Sequence, residues 1–127
     1  MLDTDSVSFA IRGQGNVGSA LRQHLPSQLC VSAVTVAELR YGADHRKSAK
    51  LHELIDRFVS NFEVVAFDED CASLFGKIAS ELASRGLPIG KLDVMIAAHA
   101  MSVGATLVTN NVKHFTRVRG LSVENWY

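Results

Sequence analysis

The chain has 127 residues, of which 47% are hydrophobic and 20% charged; 13 basic and 13 acidic side chains leave a formal net charge of zero. These proportions describe one globular domain with a core of useful size, and they exclude a disordered chain. A neutral balance also excludes coating of nucleic acid or an anionic membrane by bulk charge, but not a local basic patch.

Met1 and Leu2 read as the end of a short strand, with Asp3 at its carboxyl edge and Asp5 or Ser6 as the cap of the next helix. Both acids equally fit solvated or capping roles. Residues 7–11, VSFAI, fit a strand or a short helix. Residues 12–18, RGQGNVG, then carry G-x-G-x-x-G at Gly13, Gly15 and Gly18. Taken literally this is a dinucleotide fingerprint, with Glu38 about 20 residues further on, where a ribose-binding acid is expected. The competing reading is a helix ending at Gly13, a turn, and a second helix through Leu21 to Leu25.

Residues 29–32, LCVS, form a second short apolar run. Ser32 or Thr35 is expected to cap the helix that follows, with Glu38 as the capping-box partner of Thr35 or, in the functional reading, facing the carboxyl edge of a sheet. Residues 43–50, ADHRKSAK, are a solvated link or a local basic surface. Leu51, Leu54, Ile55, Phe58 and Val59 recur at helical spacing and predict a core or dimer face. Residues 63–67, EVVAF, read as a third strand. Asp68 caps a long helix over 69–85, striped by Leu74, Phe75, Ile78, Ala79 and Leu82 and stopped by Gly86. Cys30 and Cys71 form no CxxC and no metal cluster, so two buried free thiols in a reducing cytoplasm are expected.

Residues 87–111, LPIGKLDVMIAAHAMSVGATLVTNN, hold the most information. Pro88 and Gly90 punctuate a loop, and Asp93 falls in the first turn of a helix apolar on nearly every side. Gly104 ends it. Residues 106–109, TLVT, are short and apolar like a buried parallel strand, and Asn110-Asn111 turn away from it. His99 is expected as a satisfied core histidine. Residues 112–115 read as a helical fragment and residues 121–126 as an edge strand, with Trp126 packing against it. No apolar run reaches transmembrane length and no signal-peptide pattern opens the sequence, so a cytoplasmic location is expected.

Strands near 1–3, 29–31, 63–66, 105–108 and 122–125, alternating with helices, predict a three-layer α/β/α sandwich on a mostly parallel five-stranded sheet, one domain over 1–127. Sites in such sheets form at the carboxyl edge. There Asp3 and Asn111 follow strands, while Glu38 and Asp93 sit near helix starts. Three carboxylates and an amide are hard oxygen ligands, suited to Mg²⁺ or Mn²⁺. Such a cluster repels itself unless a cation compensates, and a cation so held commonly serves phosphoryl chemistry. Zinc spacing and a G-x-S-x-G elbow are both missing.

Asp3 in MLDTD, Glu38 in TVAELRYG, Asp93 in PIGKLDVMIAAHA and Asn111 in LVTNNVKHF resemble the PIN-domain family. More narrowly they resemble VapC-type toxins of bacterial toxin–antitoxin pairs, as does the closing RVRGLSVENW. The resemblance covers the whole chain. It implies a Mg²⁺- or Mn²⁺-dependent endoribonuclease, a homodimer, and inhibition by a VapB-type antitoxin made from the neighbouring gene. Asp3, Glu38 and Asp93 would be the metal-binding acids and Asn111 the fourth member, a position acidic in many PIN domains. His114 stands where similar toxins often carry an acid. Thr4, Asp5, Ser32, Thr109 and Asn110 are expected around this centre, and Arg40 to Lys50 near the RNA phosphates. The antitoxin would insert an Arg or Lys into the acidic pocket. Two other readings remain open: a PIN fold kept as a non-catalytic binding partner, and a small nucleotide-binding module built on Gly13, Gly15 and Gly18.

Overall fold

Seven α-helices and four short strands follow one another in a computed structural model that describes all residues 1–127. They are α1 (Thr4–Arg12), α2 (Val17–Leu21), a 3₁₀ turn at Pro26–Gln28, β1 (Cys30–Ser32), α3 (Ala33–His45), α4 (Ala49–Val59), β2 (Glu63–Val65), α5 (Glu69–Ser84), α6 (Lys91–Ser102), β3 (Leu107–Val108), α7 (Val112–Phe115) and β4 (Val123–Glu124).

The helix starts follow from short polar side chains that satisfy otherwise unpaired backbone N–H groups. Asp3, and not Asp5 or Ser6, caps α1: its Oδ1 accepts the Ser6 N–H at 2.7 Å. Ser32 caps α3 by accepting from the Val34 N–H at 3.0 Å. Thr35 therefore lies inside the helix, and Glu38 is not its capping-box partner. Asp68 caps α5 through the Cys71 N–H, as its position predicts.

Residues 7–11 are helical, so the G-x-G-x-x-G run follows a helix instead of a strand. Gly13 ends α1 in the left-handed region, and Gly18 falls within α2. At Gly15 a Cβ would come within 2.8 Å of the Tyr127 ring. An aromatic ring fills the place where a dinucleotide fingerprint needs a phosphate to approach the backbone. The nucleotide-binding reading of this loop does not hold.

The strands are shorter than their sequence patterns. β1 pairs with β2 in parallel, Val31 opposite Val64, and β3 pairs in parallel with β4, Leu107 opposite Val123. Leu2 joins the two pairs through parallel bridges to Val31 and Val108. The expected first strand is thus a single bridged residue. The cause is the immediacy of the helices: Asp3 caps α1 directly after Leu2, and Ser32 is both the last residue of β1 and the cap of α3.

Alternation along the extended segments feeds two cores. Met1 and Leu107 pack with Ile78, Leu82 and Ile96 of α5 and α6. Leu2, Val31 and Val108 pack with Val7, Leu39 and Ile55 of α1, α3 and α4. Cys30 and Cys71 are free thiols, but only Cys71 is buried; Cys30 is partly exposed. No helix is long and apolar enough to cross a membrane.

Candidate active site

A small cleft of ≈ 80 Å³ is lined by Asp3, Thr4, Asp5, Glu38, Asp93 and Asn111, with Ile96 and Phe115 as its apolar walls. Each side chain arrives there for a local reason. Asp3 is fixed by capping α1 and is almost completely buried. Thr4 and Asp5 are carried by the first turn of that helix. Glu38 lies on α3, where the Thr4 hydroxyl donates to its Oε1 at 2.7 Å. Asp93 stands in the first turn of α6, whose cap position is held by Gly90 without a side-chain capping bond. Its carboxylate is left free for the cleft. Asn111 leads into α7, and its amide lies 2.8 Å from Nδ1 of His114.

The other residues expected around this centre do different things. Ser32 donates or accepts at 2.7 Å with Nδ1 of the buried His99, in addition to capping α3. Thr109 is buried next to Asp3 and accepts the Asn111 N–H at 2.9 Å, bracing the loop that carries Asn111. Asn110 is exposed and accepts from Asn125. His114 approaches Asp93 at 4.0 Å, so it borders the cleft without being buried in it. His99 is buried as expected, yet its Nε2 has no partner, so it is only half satisfied. The apolar walls Ile96 and Phe115 carry no chemical signature in sequence, and only helical spacing on α6 hints at Ile96.

The electrostatics of the cleft favour a cation. Burial pushes the carboxyl of Asp3 up, against hydrogen bonds from Thr109 and Ser6 that pull it down. Burial also raises Glu38; its bond from Thr4 opposes this, and the charges of Asp93 and Asp5 add to the rise. Asp93 is raised by burial and by Asp5, and lowered by His114. The amino end of α6 therefore does not win at Asp93: a dipole contribution below 1 kcal/mol is small beside desolvation of a carboxylate.

No three acidic, histidine or cysteine side chains close into a ready-made metal cage. An open set of carboxylates and an amide is still the donor chemistry of Mg²⁺ and Mn²⁺, which keep several waters and need few protein ligands. The residues fit such an ion: burial first, and then the mutual repulsion of Glu38, Asp93 and Asp5, disfavour the ionised carboxylates, and a cation offsets both.

An acidic cleft in which Asp3 is buried and Glu38 and Asp93 are half-buried, set where helices meet the ends of parallel strands, is the architecture of a PIN domain, and the PIN domain profile matches residues 1–121. The chain belongs to the PIN domain family. It is 37% identical over 130 residues to the tRNA(fMet)-specific endonuclease VapC of Salmonella typhimurium, covering 99% of this chain and 96% of that one. It is 39% identical over 128 residues to Ribonuclease VapC2 of Haemophilus influenzae, with the same coverage. Among solved structures it is similar to VapBC2 from Rickettsia felis bound to a promoter DNA fragment, with a TM-score of 0.91 and 36% identity, covering 100% of this chain and 98% of that one.

Proposed function

We infer that the protein is a ribonuclease toxin of the VapC type, neutralised by a VapB-type antitoxin. The observation that carries this reading is the convergence of Asp3, Glu38, Asp93 and Asn111 in one cleft of a PIN domain whose relatives are named as ribonucleases. Its fold is read as one domain over 1–127, a three-layer α/β/α sandwich in which Leu2 marks the central strand of five.

Asp3, Glu38 and Asp93 would hold Mg²⁺ or Mn²⁺, with Asn111 as an uncharged neighbour. A divalent ion supplies charge compensation at the scissile phosphate and acidifies the water that attacks it. The chain's own groups do the remaining work. Thr4 fixes Glu38, whose free oxygen is available to take a proton from the attacking water. Ile96 and Phe115 keep bulk water from one side of the cleft, which strengthens every interaction inside it. Thr109 braces the backbone of Asn111. A cationic side chain from an antitoxin, entering the same cleft, would compensate the same carboxylates and block access. Relatives in the solved structures are VapBC assemblies, some on DNA, which supports a partner of this kind. A homodimer and a cytoplasmic location belong to the same reading.

Antitoxin-free protein incubated with total bacterial RNA and Mg²⁺ is expected to yield discrete fragments, and the antitoxin from the neighbouring gene is expected to stop the reaction. RNA left intact by antitoxin-free, folded protein would overturn the ribonuclease reading.

A further inference from the structure

An RNA strand faces a problem at this site. Asp3, Asp5, Glu38 and Asp93 repel its backbone, and a net charge of zero offers no general attraction. Cations must stand close by. Arg40 to Lys50 contains the nearest sequence run of them, and the structure divides that run in two. Arg40 is committed: it pairs with Asp56 and lies 3.1 Å from Nδ1 of His52, which in turn bonds Asp44. Arg46 forms no ion pair; its Nη1 only donates to the Gly42 carbonyl at 3.1 Å, one turn back on α3.

Arg46 does not stand alone. A second cleft, of ≈ 170 Å³, is lined by Arg46, Arg12, Gly42, Ile11 and Leu51 and shares Thr4 and Glu38 with the acidic cleft. Arg12 is the last residue of α1, is exposed, and has no ion pair or side-chain hydrogen bond either. Two arginines at helix ends thus face one cleft, next to a row of carboxylates with which they form no ion pair. Below them lie the apolar side chains of Ile11 and Leu51 and the buried Ile55. Planar guanidinium forks over an apolar floor suit a sugar–phosphate unit.

Resting on the ribonuclease reading, we propose that Arg12 and Arg46 form a subsite for an RNA phosphodiester adjacent to the scissile one, with the attached sugar against Ile11 and Leu51. Gly42 is part of the device. It lies inside α3, where glycine costs about 1 kcal/mol relative to alanine. A Cβ there would come within 3.2 Å of Arg46 Nη1, so an alanine would shift the guanidinium by a few tenths of an ångström from its place on the Gly42 carbonyl.

The test is cleavage kinetics and binding with a single-stranded RNA oligonucleotide that the wild type cuts. Arg12→Ala combined with Arg46→Ala is expected to raise KM by about tenfold, the loss of one charge-assisted contact, with kcat nearly unchanged. Binding measured in EDTA should show the log–log salt slope reduced by about 0.7, for one single-strand phosphate neutralised. Substrates with one neutral methylphosphonate near the scissile bond should reveal a linkage whose neutralisation harms the wild type but not the double variant. Gly42→Ala keeps both charges and favours the helix, and is expected to raise KM by displacing Arg46. Arg46→Lys should recover part of the salt slope. An unchanged KM and salt slope in the double variant, with an actively cleaving wild type, would overturn the subsite alone. A loss confined to kcat, or a methylphosphonate effect that persists in the double variant, would also overturn it. A wild type that cuts no RNA overturns the ribonuclease reading instead.

Discussion

Glu38 shows at the scale of one residue how function and stability oppose each other. Its carboxyl is raised above its ordinary value of 4.5, by burial first and then by the charges of Asp93 and Asp5. A folded state with a raised pKa binds protons that the unfolded state has already released. The stability this contributes is therefore complete below about pH 4.5 and is lost as pH rises through the folded value. Near neutral pH, without a cation, the ionised group is a burden. Glu38→Gln keeps an oxygen for the Thr4 hydroxyl and removes the charge. In EDTA at neutral pH it is expected to melt a few degrees above the wild type, with the difference shrinking as pH falls toward 4.5. Mg²⁺ should raise the melting temperature of the wild type and have little effect on the variant, which should not cleave RNA. A variant melting below the wild type in EDTA would show that Glu38 is there for the fold. Two of the site candidates were readable as residues because short polar side chains follow apolar runs at Asp3 and Asn111. The supporting contacts were not: Thr4 meets Glu38 across 34 positions and Ser32 meets His99 across 67, and no local pattern encodes such pairs.

Among elements, α3 illustrates how one side chain can serve two layers. Ser32 caps α3 and closes the only side-chain hydrogen bond of His99 on α6, whose Nε2 is already unpartnered. Ser32→Ala removes a cap, costing about 1 kcal/mol, and leaves a buried imidazole nitrogen unsatisfied, costing about 1–3 kcal/mol more. The sum, about 2–4 kcal/mol, is expected as a lowered denaturation midpoint with an unchanged slope. A loss below about 0.5 kcal/mol would mean that water replaces the hydroxyl at His99. The element pattern itself was largely legible. Apolar stripes at helical spacing placed α4 and α5, an almost wholly apolar run placed α6, and Gly86 and Gly104 marked the ends of α5 and α6. The first strand is shorter than its apolar pattern because the chain enters α1 as soon as the Asp3 side chain caps it, and β1 likewise ends at the Ser32 cap of α3. The glycine run was misleading for a related reason: G-x-G-x-x-G means a phosphate loop only after a strand, and residues 7–11 are helix.

For the molecule as a whole, the two cores on either side of Leu2 hold α1, α3 and α6 so that the cap of α1, the second turn of α3 and the first turn of α6 present Asp3, Glu38 and Asp93 to one cleft. Neither core contributes a ligand, yet both fix the spacing on which the chemistry depends. In the proposed function this cleft binds a divalent ion and uses it on RNA. The most direct test titrates Mn²⁺ into wild-type and Asp93→Asn protein, follows binding by electron paramagnetic resonance, and assays RNA cleavage in the same samples with and without EDTA. The wild type is expected to bind Mn²⁺ and cleave, EDTA to abolish cleavage, and Asp93→Asn to lose binding and cleavage together while remaining folded. An Asp93→Asn protein that binds Mn²⁺ and cuts RNA like the wild type would contradict the proposed function.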